Sequence, residues 1–379
     1  MTLVEDPSLD AWLRLTLIPG VGSESQRKLL TAFGLPEAVF SARYDALRSV
    51  VGSKTARLLL EADNSQAVAA ARQWAQASDQ HIVTLADTAY PRALLDIGDP
   101  PTLIYVRGRL DLLQRPALAI VGSRNPTPQG IKNAENFSAA LAQSGLIIVS
   151  GLALGIDTAA HLAALSVQGD TIAVIGTGID RIYPARNLDL ARRIVKQGCI
   201  ISEFPLGTPA VAHNFPRRNR LISGLARGVL VVEAAAESGS LITARLAGEQ
   251  GKEVFSIPGS IHSPQARGCH KLIKQGAKLV ETVQDILEEL DWHYQPSEKG
   301  QASASPPLTP SVTVTATGQE AQTDADELLA LIGFDPCSID ELAARSGLSI
   351  EILSQRLLQL ELDGHLANLP GGRFQRISA

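Results

Sequence analysis

The sequence predicts an α/β fold, an extended Rossmann-like doubly wound sheet. Three observations predict it: mostly β-branched runs alternate with segments of helical spacing, the runs are apolar throughout rather than every second residue, and glycine-bearing loops follow several of them. Strands apolar on both sides must be covered by helices on both faces, and such sheets bind ligands beyond the carboxyl ends of their strands. The strand candidates are Ala117–Val121, Leu146–Val149, Thr171–Ile175, Cys199–Ser202, Val229–Glu233 and Val254–Ile257. Helical spacing lies between them at Gly130–Gln143, Asp157–Val167, Leu188–Lys196, Ser240–Glu249 and Pro264–Lys274.

Before this sheet, residues 1–110 read as a helical domain of the helix-hairpin-helix/SAM-like kind. Leu17-Ile18-Pro19-Gly20-Val21-Gly22 and Val50-Val51-Gly52 form a weak repeat, each followed by an arginine, Arg27 or Arg57, and a Leu pair. Such turns present backbone N–H groups to a DNA phosphate at a helix start, and they equally make ordinary packing corners. Residues 111–291 hold the sheet. Residues 292–323, rich in Ser, Thr, Pro, Gly and Ala, read as a flexible linker. Residues 324–379 read as a winged-helix-like domain, with helices at Glu327–Ile332, Ile339–Ser346 and Ile350–Asp363 and a hairpin around Pro370-Gly371-Gly372. Its third helix offers one Arg against two Glu and an Asp, which suits a protein contact better than a DNA groove.

The chain has 379 residues, 45% hydrophobic and 19% charged, so most of it should fold. No apolar stretch is long enough to span a membrane and the first residues are acidic, so a cytoplasmic protein without membrane contact is expected. Cys199, Cys269 and Cys337 are too scattered for a disulfide framework or a metal site. The net charge of -5 is uneven: residues 116–290 carry 17 basic and 14 acidic side chains, +3, whereas 320–379 carry 4 and 10, -6. A polyanion would dock on the middle of the chain.

Three loops there have phosphate-binding chemistry. Gly122-Ser123-Arg124 follows the first strand and offers a close backbone approach, a hydroxyl and a bidentate cation, although a βα turn with a solvated Arg has the same sequence. Ser150-Gly151 opens a second nest, in which the later Gly155 reads as a packing position. In Asn214-Phe215-Pro216-Arg217-Arg218-Asn219-Arg220, Pro216 suits a first helical position and three arginines crowd the first turn, where they oppose the helix dipole unless an anion compensates. Phe215 can stack on a base or anchor the turn. Arg186 can reach a phosphate or stay solvated, and Ser238 or Ser240 would cap the helix that follows Glu233.

The sequence lacks a GxxxxGK[ST] loop, a dinucleotide fingerprint and any recognisable Ser/His/Asp or Cys/His arrangement, so neither an enzyme nor a cofactor is expected. Together, GSR, SGLALGID, NFPRRNRLISGL and SGSLITA, in this order, resemble the DNA-processing protein A (DprA/Smf) family of bacteria. The resemblance implies a homodimer that binds and protects incoming single-stranded DNA and loads the recombinase RecA during natural transformation. It implies phosphate contacts at Arg124 and the Arg217–Arg220 cluster, with Gly122, Ser123, Ser150 and Gly151 as the loop floor. His270 departs from it, since the family usually has Asn there. The alternative is a nucleotide-processing Rossmann hydrolase resembling the cytokinin-activating phosphoribohydrolases. Those enzymes use a PGGxGT loop with a nearby Glu, where this chain has EAAAESGS.

Overall fold

The computed structural model of the chain describes residues 7–293, 328–329, 331–332 and 336–377. The expected linker lies outside the described residues apart from Trp292 and His293, and so do two positions of the expected helix 327–332.

Five helices open the chain: α1 (Pro7–Thr16), α2 (Ser23–Phe33), α3 (Pro36–Ser41), α4 (Tyr44–Glu61) and α5 (Ser65–Trp74). Leu15, Ile18, Val21, Leu29, Leu47 and Leu59 supply much of a core shared by α1–α4. Gly52 sits at φ 78°, a left-handed conformation that an L side chain resists, and α4 is kinked there. The backbone at Gly52 is non-helical, so the second copy of the repeat is a break between two helical segments of α4, as the first is a turn between α1 and α2.

The central sheet has nine strands: β1 (Gln80–Thr84), β2 (Leu103–Gly108), β3 (Ala117–Val121), β4 (Ile147–Ser150), β5 (Thr171–Val174), β6 (Cys199–Ser202), β7 (Gly228–Val231), β8 (Glu253–Ser256) and β9 (Lys278–Leu279). Their order is β1-β2-β6-β5-β4-β3-β7-β8-β9. From β6 to β9 neighbours run parallel, with Ala119 of β3 paired to Val149 on one side and Val229 on the other. The interleaved helices are α6 (Pro128–Gln143), α7 (Ile156–Ser166), α8 (Leu188–Gln197), α9 (Asn214–Leu225), α10 (Ser240–Glu249), α11 (Arg267–Lys274) and α12 (Val283–Glu289). One face of the sheet buries Ile120, Ile148 and Leu230 beneath α6 and α7, and the other buries Val121, Val149 and Val229 against Leu221 and Leu225 of α9.

Two expectations are corrected here. The sheet is not wholly parallel and does not begin after residue 110, because β1 and β2 precede that boundary and extend it antiparallel beyond β6. As the edge strand, β1 is half-buried along most of its length, so Gln80–Thr84 lacks the continuous apolar run that marks the inner strands. Helix α9 also starts two residues before Pro216, at Asn214, and has no side-chain cap.

The C-terminal unit contains β10 (Cys337–Ser338), α13 (Ile339–Ser346), α14 (Ile350–Leu362), β11 (Leu366–Leu369) and β12 (Arg373–Arg376). Ser338 caps α13 in a reciprocal box with Glu341, and Gly347 ends it at φ 68°. Leu342, Leu353, Leu357 and Leu366 fill its core. Pro336 and Gln375 share a cleft of about 230 Å³ with Gln129, Asn133 and Pro258, so the unit rests against the sheet domain near α6.

Candidate nucleic-acid interface

The chain lays down β3, β4, β5 and β6 in one direction, then returns to place β7 on the other side of β3. The loops after β3 and β7 therefore diverge, which opens a crevice at the carboxyl edge. A cleft of about 550 Å³ lies there, lined by Ser123, Arg124, Phe215, Arg218, Asn219 and Ser240 among others.

The loop after β3 has a fixed floor and a free cation. Ser123 is buried, its hydroxyl accepts from Asn125 N at 3.1 Å, and its carbonyl accepts from Ile156 N at 3.1 Å at the start of α7. A side chain on Gly122 would run into Ile156 and the Glu233 carbonyl. Arg124 is exposed, makes no ion pair among the described residues and has its guanidinium 5.9 Å from the centre of the Phe215 ring.

The loop after β4 has its anion already. Asp157, 8% exposed, accepts from the N–H groups of Gly151 at 3.1 Å and Ala153 at 3.3 Å, so this nest is occupied by a carboxylate of the chain itself. Arg218 lies beside it, donating to the Gly151 carbonyl at 2.6 Å and to that of Val174. A Cβ on Gly151 would collide with both side chains. Burial brings the Arg218 pKa down to about 10, which leaves it charged at neutral pH, and Asp157 opposes the shift. Burial likewise pushes the Asp157 carboxyl up, against the pull of Arg218. Ser150 is fully buried and donates to the Ile120 carbonyl at 2.7 Å, so it braces the sheet and does not face a ligand.

Helix α9 answers its own dipole problem. Arg220, 8% exposed, pairs with Asp99 at 3.1 Å and Glu203 at 2.6 Å. Asp99 also holds Arg27 and accepts from Ser23 Oγ at 3.2 Å, so the network ties the helical domain to α9. The expectation that an external polyanion compensates all three arginines is corrected: Arg220 is paired with carboxylates of the chain and Arg218 donates to two of its carbonyls, although Arg218 Nε and one terminal nitrogen of Arg220 are buried without a partner among the described residues. Charge spacing reveals a cation near a helix start but not where its partner comes from. Arg217 remains half-exposed, 3.1 Å from Glu203, and Asn219 reaches the cleft. Phe215 packs its ring on Gly176, where a Cβ would come within 3.0 Å, and the Arg218 guanidinium lies 6.0 Å from its centre.

Arg186 is exposed and makes no ion pair among the described residues. The adjacent Asn187, 4% exposed, donates to Leu152 O at 2.9 Å and to Ala153 O and Thr158 Oγ1. It locks the loop after β5 to the loop after β4, a role that sequence reasoning missed, as it missed the Asp157 nest. Helix α10 is capped by Gly239 with no side-chain bond, while Ser238 and Ser240 hydroxyls meet at 2.7 Å beside the cleft. Glu233, pushed up by burial, accepts from Thr127 N at 2.9 Å and from its hydroxyl, which fixes it at the start of α6. It is thus committed to a structural cap, leaving Glu237 as the carboxylate at the cleft rim. His270 bonds the Gly259 carbonyl at 2.9 Å.

The sequence model of the DNA recombination-mediator protein A family matches residues 81–291, and that of the DprA winged helix domain matches 312–372. The chain belongs to the DNA recombination-mediator protein A (DprA) family. It is 39% identical over 371 residues to Protein Smf of Escherichia coli, spanning 96% of this chain and 94% of that protein. To the DNA processing protein DprA of Streptococcus pneumoniae it is 49% identical over 209 residues, 55% of this chain and 74% of the relative. Among solved DprA structures, that from S. pneumoniae superimposes with a TM-score of 0.68 at 38% identity over 75% of this chain and 99% of its own. The Helicobacter pylori DprA, studied for its single-stranded DNA binding mode, gives 0.52 at 33% identity over 56% and 98%. The DprA fold and winged-helix domain expected from the sequence are those observed. No helix among the described residues is long and apolar enough to cross a membrane.

Proposed function

We propose that this chain is a non-enzymatic binder of single-stranded DNA with a DNA-processing role, holding the strand by its phosphates across the β3/β7 crevice. The observation that carries this reading is Arg124: an exposed guanidinium with no ion pair among the described residues, set over an aromatic ring at the mouth of the crevice. Asn219 extends the contact inside the crevice and the exposed Arg217 and Arg186 would continue it outside, while Arg218 supplies a fixed positive charge beneath it. The single-strand binding of the H. pylori relative supports the same reading.

Delivery of the strand to RecA in natural transformation and homodimerisation rest on the family resemblance, and a cytoplasmic location rests on the composition of the sequence. For the winged-helix domain we favour protein contacts, because α14 exposes Ile350, Ile352, Leu358 and Leu362 beside Glu351. The test is competition for a labelled single strand by unlabelled single- and double-stranded DNA of one sequence. The single strand should compete better, and Arg124→Ala should bind more weakly; equal competition, or a variant as tight as wild type, overturns the reading.

A further inference from the structure

We propose that Tyr183 is a stacking platform for a base of the bound strand, carrying the track out of the crevice over Phe215 toward Arg186. The proposal rests on the single-strand reading above and names a residue for it.

Aromatic residues make up only 4% of this chain, and among the described residues the other rings are buried or half-buried. Tyr183, at 52%, is the one exposed aromatic side chain among the described residues. That ring stands in the loop after β5, at the carboxyl edge of the sheet. Its centroid lies 5.7 Å from that of Phe215, with the planes inclined by 48°. A tilted contact of this kind covers only part of each ring, so much of Tyr183 is left to solvent. Phe215 in turn has the guanidinium groups of Arg124 and Arg218 within 6.0 Å of its ring centre, and its own ring lines the crevice. The two rings therefore form a step that leads from the cationic crevice to the β5 loop, where Arg186 is exposed.

A nucleobase fits this surface better than an apolar protein segment does. Every base has a flat π face that stacks on a phenol ring without regard to sequence, and a neighbouring guanidinium suits the phosphate of the same nucleotide or the next. An apolar segment would need a contiguous patch, and the exposed residues of this loop include the charged Asp180, Arg181 and Arg186. The platform is also held in place. Asn187 anchors the end of its loop, its amide NH2 lying within hydrogen-bond distance of Leu152 O, Ala153 O and Thr158 Oγ1, which reduces the ordering cost of stacking.

The test measures affinity of the full chain for an oligothymidylate and for a strand of equal length with abasic sugars throughout. Tyr183→Ala should weaken oligothymidylate binding by about tenfold and leave the abasic strand unaffected, while Tyr183→Phe should bind as wild type does. Arg124→Ala should weaken both strands. If Tyr183→Ala matches wild type on oligothymidylate, weakens both strands equally, or is mimicked by Tyr183→Phe, the platform is overturned while the crevice reading stands. A wild-type chain that ignores both strands overturns both.

Discussion

Arg124 and Arg220 are both arginines at the carboxyl edge of one sheet, yet they belong to opposite regimes. Arg220 is nine-tenths buried, with Glu203 and Asp99 as its anions, whereas Arg124 is exposed and has no ion pair among the described residues. The first is part of the fold and the second is available to a ligand. A buried guanidinium must carry its counter-charge with it, because desolvation without a partner costs several kcal/mol. An exposed one needs none, and it gains most when a polyanion arrives with counterions to release.

The largest effect is expected on the buried side. Arg220→Ala leaves Glu203, whose side chain is only 2% exposed, without its nearest partner and should destabilise the fold by about 3–5 kcal/mol. Urea unfolding checks this, and a midpoint near wild type would erase the distinction between the two regions. Arg218→Ala removes two hydrogen bonds from a buried cation, so it should lower both the unfolding midpoint and single-strand affinity.

A smaller effect sharpens the same contrast through pH. His161 is fully buried next to this network, and its Nδ1 lies 2.7 Å from Thr171 Oγ1. The Thr171 hydroxyl donates to the Ile148 carbonyl, so Nδ1 must be the donor, which leaves Nε2 without a partner among the described residues. Burial, reinforced by Arg218, lowers the His161 pKa to about 3. A depressed folded-state pKa means that this stability is present above the free imidazole value of about 6.5 and is lost as pH falls toward the folded one, by up to about 1.4 kcal/mol per pH unit. His161→Asn should flatten the decline in unfolding free energy between pH 6 and 4, and an unchanged slope would place the titration elsewhere. The smallest effect concerns the far end of the chain. Ending it after Asp291 removes the acidic winged-helix region but nothing that lines the crevice, so single-strand affinity measured by titration should hold within about threefold, since distant sites act independently.

Much of this contrast was hidden in the sequence. The inner strands were legible because each is a continuous apolar run, and Gly122-Ser123-Arg124 was legible because it follows such a run at the edge where ligands bind. The edge strand β1 was not, since half-burial on an antiparallel border leaves no strong pattern. Nor could spacing separate Arg218 and Arg220 from Arg124. Their partners, Gly151, Glu203 and Asp99, lie 67, 17 and 121 residues away in the chain and meet them only after folding. Asp157 was hidden for a different reason: within six residues of Gly151, it fills a nest that reads from sequence as an empty phosphate site.

The most direct test is the salt dependence of single-strand binding by wild type and Arg124→Ala. If Arg124 meets a phosphate, the variant binds more weakly, its slope of log affinity against log salt is shallower by about 0.7, and its unfolding midpoint is that of wild type. An unchanged slope with unchanged affinity would mean that the exposed arginine touches no phosphate, and the account of the crevice would be wrong.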